Sequence, residues 1–457
     1  MNDARLDDEI NWAVSFPLPF RVMVLVGLGI SGWATNLHGL IIFGVDAVNT
    51  MELRVDPSQQ PISLRIAGMH LKTPSSIYGP VYRLALAYFS WCFTTWALFR
   101  YFTYRNVVLT DVFAYIPGVS TLVILFVLVC PFNIFYKRER DKFLLSIRRC
   151  IFSSMDSPVH FTDVVFADVF TSFAKVLGDV WLCMRMLAPG NSVLVPPRED
   201  GWLRWVMPAI MSLPYLVRFR QCIIEYQSPT NNSHRPLYNA VKYATSFPVI
   251  FLSAAQRIVV TELRQEKGDE VMQAAWHGEH PLFRLWLLFA AINSLYSFWW
   301  DITNDWGLDL LKLKAMGDAH NRRYPPRRLV LAHLHSGTPL MASDVRSPAE
   351  PQSHHSSSQP YPYGLRATIL YPLPVYPLLI FLNLVLRLTW SIKLSSHLHS
   401  KSDGSITIFC LEIAEIIRRW MWVFIRVEWE TIKKSERDVD GEGDYELVQT
   451  PEVEDLT

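Results

Sequence analysis

Asp168, Lys175 and Asp179 interrupt one long apolar stretch at spacings of seven and four residues. Seven residues are almost two helical turns. On one continuous helix the three would share a face, with Thr171 and Ser172 beside it. The same kind of misplacement recurs downstream. Arg218 and Arg220 fall in one apolar segment, Lys242 and Tyr243 in the next, and Asp301 and Asp305 close another, one turn apart. Arg387 and Trp390 share a later segment, and Arg418 and Arg419 lie in the last. The basic members, Arg218, Lys242, Arg387, Arg418 and Arg419, outnumber the acids that could pair with them. An excess of guanidinium suits an oxyanion, because its planar fork engages two oxygens at once. The carboxylates can hold the cations apart when no anion is present, or accept a hydrogen bond from a protonated oxyanion.

Other chemistries find little support. No Ser/His/Asp set, H-E-x-x-H motif or P-loop is visible, so the sequence points to neither an enzyme nor an ATP-driven pump. The six cysteines show no C-x-x-C pair and no zinc spacing, and no metal or cofactor is expected. A net charge of +1 gives no general pull toward nucleic acid.

The elements that position these charges are long apolar segments. Of 457 residues, 50% are hydrophobic and only 19% charged, with aromatic residues abundant as at membrane interfaces. A membrane span needs about 20 mostly apolar residues. Candidates run at about Phe20–Val45, Leu84–Phe102, Val112–Phe135, Phe161–Leu187, Trp202–Ile224, Leu237–Val260, Leu282–Trp300, Tyr371–Leu394 and Ile406–Arg426. The fold class is therefore all-α, a polytopic transmembrane bundle of about 8–10 spans. The basic loop Tyr136–Arg149 is expected in the cytosol, and six further crossings return the tail there. In that topology the sequon Asn231-Asn232-Ser233 is cytosolic and unused. The acidic amino terminus argues against a cleaved signal peptide.

Each such charge costs roughly 2.5–3.5 kcal/mol at mid-bilayer, so about ten facing lipid would cost on the order of 25–35 kcal/mol. That exceeds the roughly 5–15 kcal/mol stability of an ordinary domain. The charges must face one another or a water-filled cavity. Ion pairs that merely fix helix register are the structural alternative.

Phe166-Ala167-Asp168-Val169-Phe170-Thr171-Ser172, Arg218-Phe219-Arg220-Gln221-Cys222 and Asn239-Ala240-Val241-Lys242-Tyr243-Ala244-Thr245 form three blocks in order. Trp300-Asp301 running into Asp305-Trp306-Gly307-Leu308 is a fourth. Leu386-Arg387-Leu388-Thr389-Trp390-Ser391-Ile392 and Glu415-Ile416-Ile417-Arg418-Arg419-Trp420-Met421-Trp422 complete the set. Together they resemble the EXS-domain family, which includes eukaryotic phosphate exporters and fungal ER-retention-defective proteins of the Golgi. The resemblance implies a six-helix core and phosphate contacts at Asp168, Arg218, Lys242, Tyr243, Asp301, Asp305, Arg387, Arg418 and Arg419. It makes Trp390 a gate or constriction.

The exporters carry a long cytosolic SPX domain, whereas here only about 20 residues precede the first span. That departure favours the ER-retention-defective branch. The resemblance then implies phosphate recycling from the Golgi lumen to the cytosol, in support of glycosylation and of retention of ER and Golgi residents. The endoplasmic reticulum is the alternative location. The alternative function is a sorting protein whose cytosolic parts bind coat or glycosyltransferase-sorting factors around a structural charged core. A homodimer is compatible with either reading. The expected organisation is N-terminal helices and basic loop over 1–150, core over 151–312, a disordered loop at 313–366, the rest of the core over 367–434 and an acidic tail over 435–457.

Overall fold

A run of apolar residues in lipid satisfies its backbone only as a helix, and the chain is built accordingly. The computed structural model describes residues 12–51, 75–104, 106–153, 158–197, 201–229, 231–267, 281–308, 310–311, 327–328, 365–366, 368–388 and 405–448. Thirteen α-helices of six or more residues organise the described residues. α1 (Leu18–Ile42), α2 (Ser75–Thr103), α3 (Val107–Val112) and α4 (Tyr115–Val129) come first. The amphipathic α5 (Lys137–Phe152) follows. The charged half contains α6 (Phe161–Thr171), α7 (Ala174–Met186), α8 (Val206–Gln227), α9 (Arg235–Ala244), α10 (Ser246–Lys267) and α11 (Pro281–Trp300). α12 (Val375–Arg387) and α13 (Ser405–Val448) complete it.

Among the described residues, four stretches are long and apolar enough to cross a membrane: Leu18–Ile42, Val107–Val129, Arg235–Glu262 and Pro281–Asp305. Each of the nine expected spans overlaps a helix, so the all-α membrane-bundle class holds. The continuity expected within spans does not. The fourth is two helices, α6 and α7, parted at Ser172–Phe173. The sixth is α9 and α10, parted at Thr245. The seventh ends in a π-helical turn, Asp301–Asp305. Interrupted helices at membrane depth are tolerated where they line protein or a cavity, and π-turns gather at functional sites. Here every interruption adjoins a misplaced charge. The only strand pairing among the described residues is a two-residue parallel bridge, Arg327 with Thr368 and Arg328 with Ile369.

The packing joins helices distant in sequence as well as neighbours. α1 lies against α2, α7 and α13, while α8 touches α6, α7, α9 and α10. The largest apolar core joins Leu37 and Leu40 of α1 to Trp422, Val423 and Ile425 of α13, with Ile302, Trp306 and Tyr376. Gly307 has φ of +63°, and a Cβ there would collide with the Trp429 ring, so a side chain is excluded on both counts. Glu428 ties α13 to the chain entering α12. It pairs with Arg366, accepts the Tyr376 hydroxyl, and accepts the Leu370 backbone N–H at 2.8 Å. The expected loop 313–366 lies almost entirely outside the described residues, as do Trp390 and the end of the acidic tail. The described chain continues as helix from 405 to 448, through the start of that tail.

Candidate functional site

The interruptions decide where the charges go. Because α6 ends at Thr171, Asp168 and the Lys175–Asp179 pair do not share one helix face. Asp168 turns to the bundle centre, 2% exposed, and accepts from Arg218 Nε at 3.0 Å and from the Tyr243 hydroxyl. Arg218, 1% exposed, also donates to Tyr243 at 3.2 Å and to Gln221. Lys175 and Asp179 pair with each other instead, with Glu412 at 3.7 Å from the ammonium. Arg220 leaves the centre too, donating to the Ile151 carbonyl at 2.9 Å and so fastening α8 to α5.

The π-turn aims two carboxylates inward from adjacent turns. Widening to an i→i+5 bond, Trp306 N–H to the Asp301 carbonyl at 2.8 Å, sets Asp301 and Asp305 on one side. Lys242, in the last turn of α9, reaches Asp301 Oδ1 at 3.2 Å and Asp305 Oδ2 at 3.0 Å. Trp300 Nε1 steadies Asp305 at 3.2 Å. Asp301 is wholly buried and serves as the hub. Its Oδ2 accepts from Arg387 Nε at 3.1 Å and Asn383 at 3.3 Å, and Arg418 Nη1 stands 3.8 Å away.

Arg418 and Arg419, 3% and 5% exposed, come from α13. Arg418 grips Glu415, one turn earlier, through Nε at 3.0 Å and through Nη2. Arg419 donates from Nε to Ser172 Oγ at 3.1 Å and from Nη2 to Thr171 Oγ1 at 3.0 Å. These hydroxyls are presented by the break between α6 and α7. Ser172 in turn donates to Glu415 at 2.9 Å. Among the described residues, the Nη1 atoms of both arginines are buried without a hydrogen-bond partner.

The structure thus gathers all nine expected contact residues into one connected cluster. Its five cations (Arg218, Lys242, Arg387, Arg418, Arg419) face four carboxylates (Asp168, Asp301, Asp305, Glu415). One positive charge is left over. Sequence reasoning missed Glu415 as a member, although its i, i+3 spacing to Arg418 places both on one face. Gln221 and Asn383 were also missed, being neutral and ordinary in a helix. Among the described residues no group of His, Cys, Asp and Glu could hold a metal ion. A cavity of about 490 Å³ opens beside the cluster, with Asp168, Arg218 and Asp305 in its wall.

Residues 16–432 match the EXS family, nearly the whole chain. The chain belongs to the EXS family. Among its relatives, "Protein ERD1 homolog 1" of Schizosaccharomyces pombe is 28% identical, covering 94% of this chain and 95% of that protein. "SPX and EXS domain-containing protein 5" of Dictyostelium discoideum is 26% identical over 70% of this chain and 30% of its own length. "Phosphate transporter PHO1 homolog 8" of Arabidopsis thaliana is 24% identical over 69% of this chain and 33% of its own length. The EXS match spans α1 to α13, so the first helices belong to the family region along with the charged core.

Proposed function

We propose that this EXS protein conducts inorganic phosphate across a membrane, and that the central cluster is its binding site. The observation that carries the reading is the surplus cation together with Nη1 of Arg418 and of Arg419, which among the described residues are buried without a hydrogen-bond partner. A buried donor without a partner is expensive, roughly 1–3 kcal/mol and more when charged. Two such donors in one cluster, beside one unbalanced positive charge, support an anion as the missing partner. A protonated phosphate fits: its oxygens accept from Arg418 and Arg419, and its hydroxyls donate to Asp168 or Asp301.

Arg218, Lys242 and Arg387 then set the positive field, while Asp305 and Tyr243 hold Lys242 and Arg218 in place. Trp390, three residues beyond Arg387, is the proposed gate. Contacts distributed over several helices favour recruitment with release better than one tight cage does. The likeness to named phosphate transporters supports the same substrate. The likeness to ERD1 homologues over almost the full chain supports a Golgi membrane, with phosphate returning from lumen to cytosol and sustaining glycosylation there. The helix breaks bring charged residues of α6, α8, α9, α12 and α13 together, which supports reading this cluster as a transport core.

The test is phosphate flux in proteoliposomes holding the purified protein, beside the Arg418→Ala/Arg419→Ala double variant. Flux in the parent that disappears in the folded variant supports the reading. A folded, inserted parent without phosphate-dependent flux refutes it, and leaves the sorting role as the better account.

A further inference from the structure

The cavity that touches the central cluster has a second end. Away from Asp168 and Arg218 it is walled by Arg235, Arg426 and Lys433, with Glu225 and Glu430. None of these five was marked by the sequence. Arg426 Nη1 and Lys433 Nζ both donate to one oxygen, Glu430 Oε2, at 2.9 and 2.6 Å. Arg426 lies over the Phe161 ring at 4.6 Å and Lys433 over Trp429 at 5.6 Å, so both cations are held by aromatic faces as well. Arg235 donates to the Asn304 carbonyl at 2.7 Å and, among the described residues, has no carboxylate within ion-pair distance. Three cations against two carboxylates repeat the inner cluster's arithmetic, again with one positive charge to spare.

We infer that Arg235, Arg426 and Lys433 form a second, outer station for the phosphate anion, at which the anion displaces Glu430 as the shared partner of Arg426 and Lys433. The inference rests on the transport reading above and adds the route. One cavity is lined both by Asp168, Arg218 and Asp305, at the edge of the central cluster, and by Arg235, Arg426 and Lys433, so an anion leaving the cluster past Arg218 meets a second cationic surplus. In the proposed topology that end faces the cytosol. Two sites of moderate affinity in series let the ion pass on, with Glu430 pairing again with Arg426 and Lys433 once it has left.

The surrounding charges bear on pH. Burial and neighbouring Arg426 push Lys433 down to about 8, against the pull of Glu430, while Arg235 adds further positive charge. Burial works against the Glu430 carboxyl, but Arg426 and Lys433 outweigh it and hold the group at about 2. Burial pushes the Glu225 carboxyl up, against Arg218 and Arg426. Glu430 therefore stays charged near neutrality, and Lys433 is the group that changes. It is protonated and anion-binding below about 8, and its contribution is lost as pH rises through that value.

The experiment is equilibrium binding of radiolabelled inorganic phosphate to the full chain in detergent. Two phosphates per chain are expected. Lys433→Met should weaken one of them roughly tenfold, as for losing one charge-assisted contact, and spare the other. Arg418→Ala/Arg419→Ala should remove the other and leave the Lys433-dependent one. Lys433→Arg should retain both and lose the weakening above pH 8 that the parent shows beyond phosphate's own titration. A parent that binds one phosphate, or a Lys433→Met protein with both isotherms unchanged, overturns the outer station. Glycerol phosphate displacing the Lys433-dependent ion more readily than inorganic phosphate does would reassign the site to a lipid headgroup and also overturn it. Two bound phosphates in a protein without flux would sink the transport reading while leaving the outer site standing.

Discussion

Arg140 and the pair Arg418–Arg419 are equally buried, at 4%, 3% and 5% exposure, yet they are used in opposite ways. Arg140 stands at the start of α5 and is saturated by fixed backbone. Its guanidinium donates to the carbonyls of Phe135 at 2.9 Å, Cys130 at 3.0 Å and Ile134 at 2.8 Å, and reaches those of Val127, Leu128 and Phe132. It thereby closes the end of α4 and a turn in which Phe135 and Tyr136 take positive φ. Arg418 and Arg419 are instead met by a carboxylate and two hydroxyls, side chains that can turn away, and among the described residues each keeps one nitrogen without a hydrogen-bond partner. Burial alone does not mark a functional arginine. The nature of its partners does: fixed backbone in one case, side chains able to turn away in the other.

That contrast can be broken at either end. The largest effect is expected at the centre, where Arg418→Ala should abolish phosphate flux while the protein still folds. Losing one buried charge-assisted contact to the transported ion should cost at least about 100-fold in rate, near 3 kcal/mol. Arg140→Met should do the reverse. Freed carbonyls at the α4 end should lower unfolding stability by roughly 2–4 kcal/mol, read as a lower melting temperature in detergent, with flux per folded molecule unchanged. Equal loss of flux and stability in both variants would erase the distinction drawn here.

Smaller changes sharpen it. Gly307→Ala forces a side chain into a positive φ and against Trp429, and should cost roughly 1–3 kcal/mol of stability. Because Gly307 lies two residues beyond the π-turn, the variant's flux should fall with a raised KM as Asp301 and Asp305 are displaced. Tyr243→Phe removes only a hydroxyl shared by Asp168 and Arg218. A severalfold KM change with an unaltered melting temperature is expected, in line with about 1 kcal/mol for one such bond.

Much of this was legible in the sequence because charge in an apolar run is costly. Asp168, Arg218, Lys242, Asp301, Arg387 and Arg418 each break hydropathy, and a penalty of that size predicts that they meet. What hydropathy could not give was the backbone. Nothing in Phe161–Leu187 announces a helix break at Ser172, since Ser and Thr are tolerated in membrane helices. That break is what separates Asp168 from Lys175 and presents two hydroxyls to Arg419. The π-turn was equally silent: Asp301 and Asp305 would also lie on one side of an ordinary helix. The outer residues escaped for another reason. Arg235, Arg426 and Lys433 sit at segment ends, where basic residues are common and cost little, so only their convergence on one cavity distinguishes them.

The central claim is that Arg418 and Arg419 keep donors free for a phosphate. It is tested most directly by determining the structure of the lipid-embedded protein by electron cryomicroscopy with saturating phosphate and without it. The account predicts added density within hydrogen-bond distance of Nη1 of one or both arginines, present only with phosphate and missing from the Arg418→Ala/Arg419→Ala variant. Identical maps around these nitrogens in a preparation that transports phosphate, or carboxylates that swing in to satisfy both in the ion's absence, would contradict it.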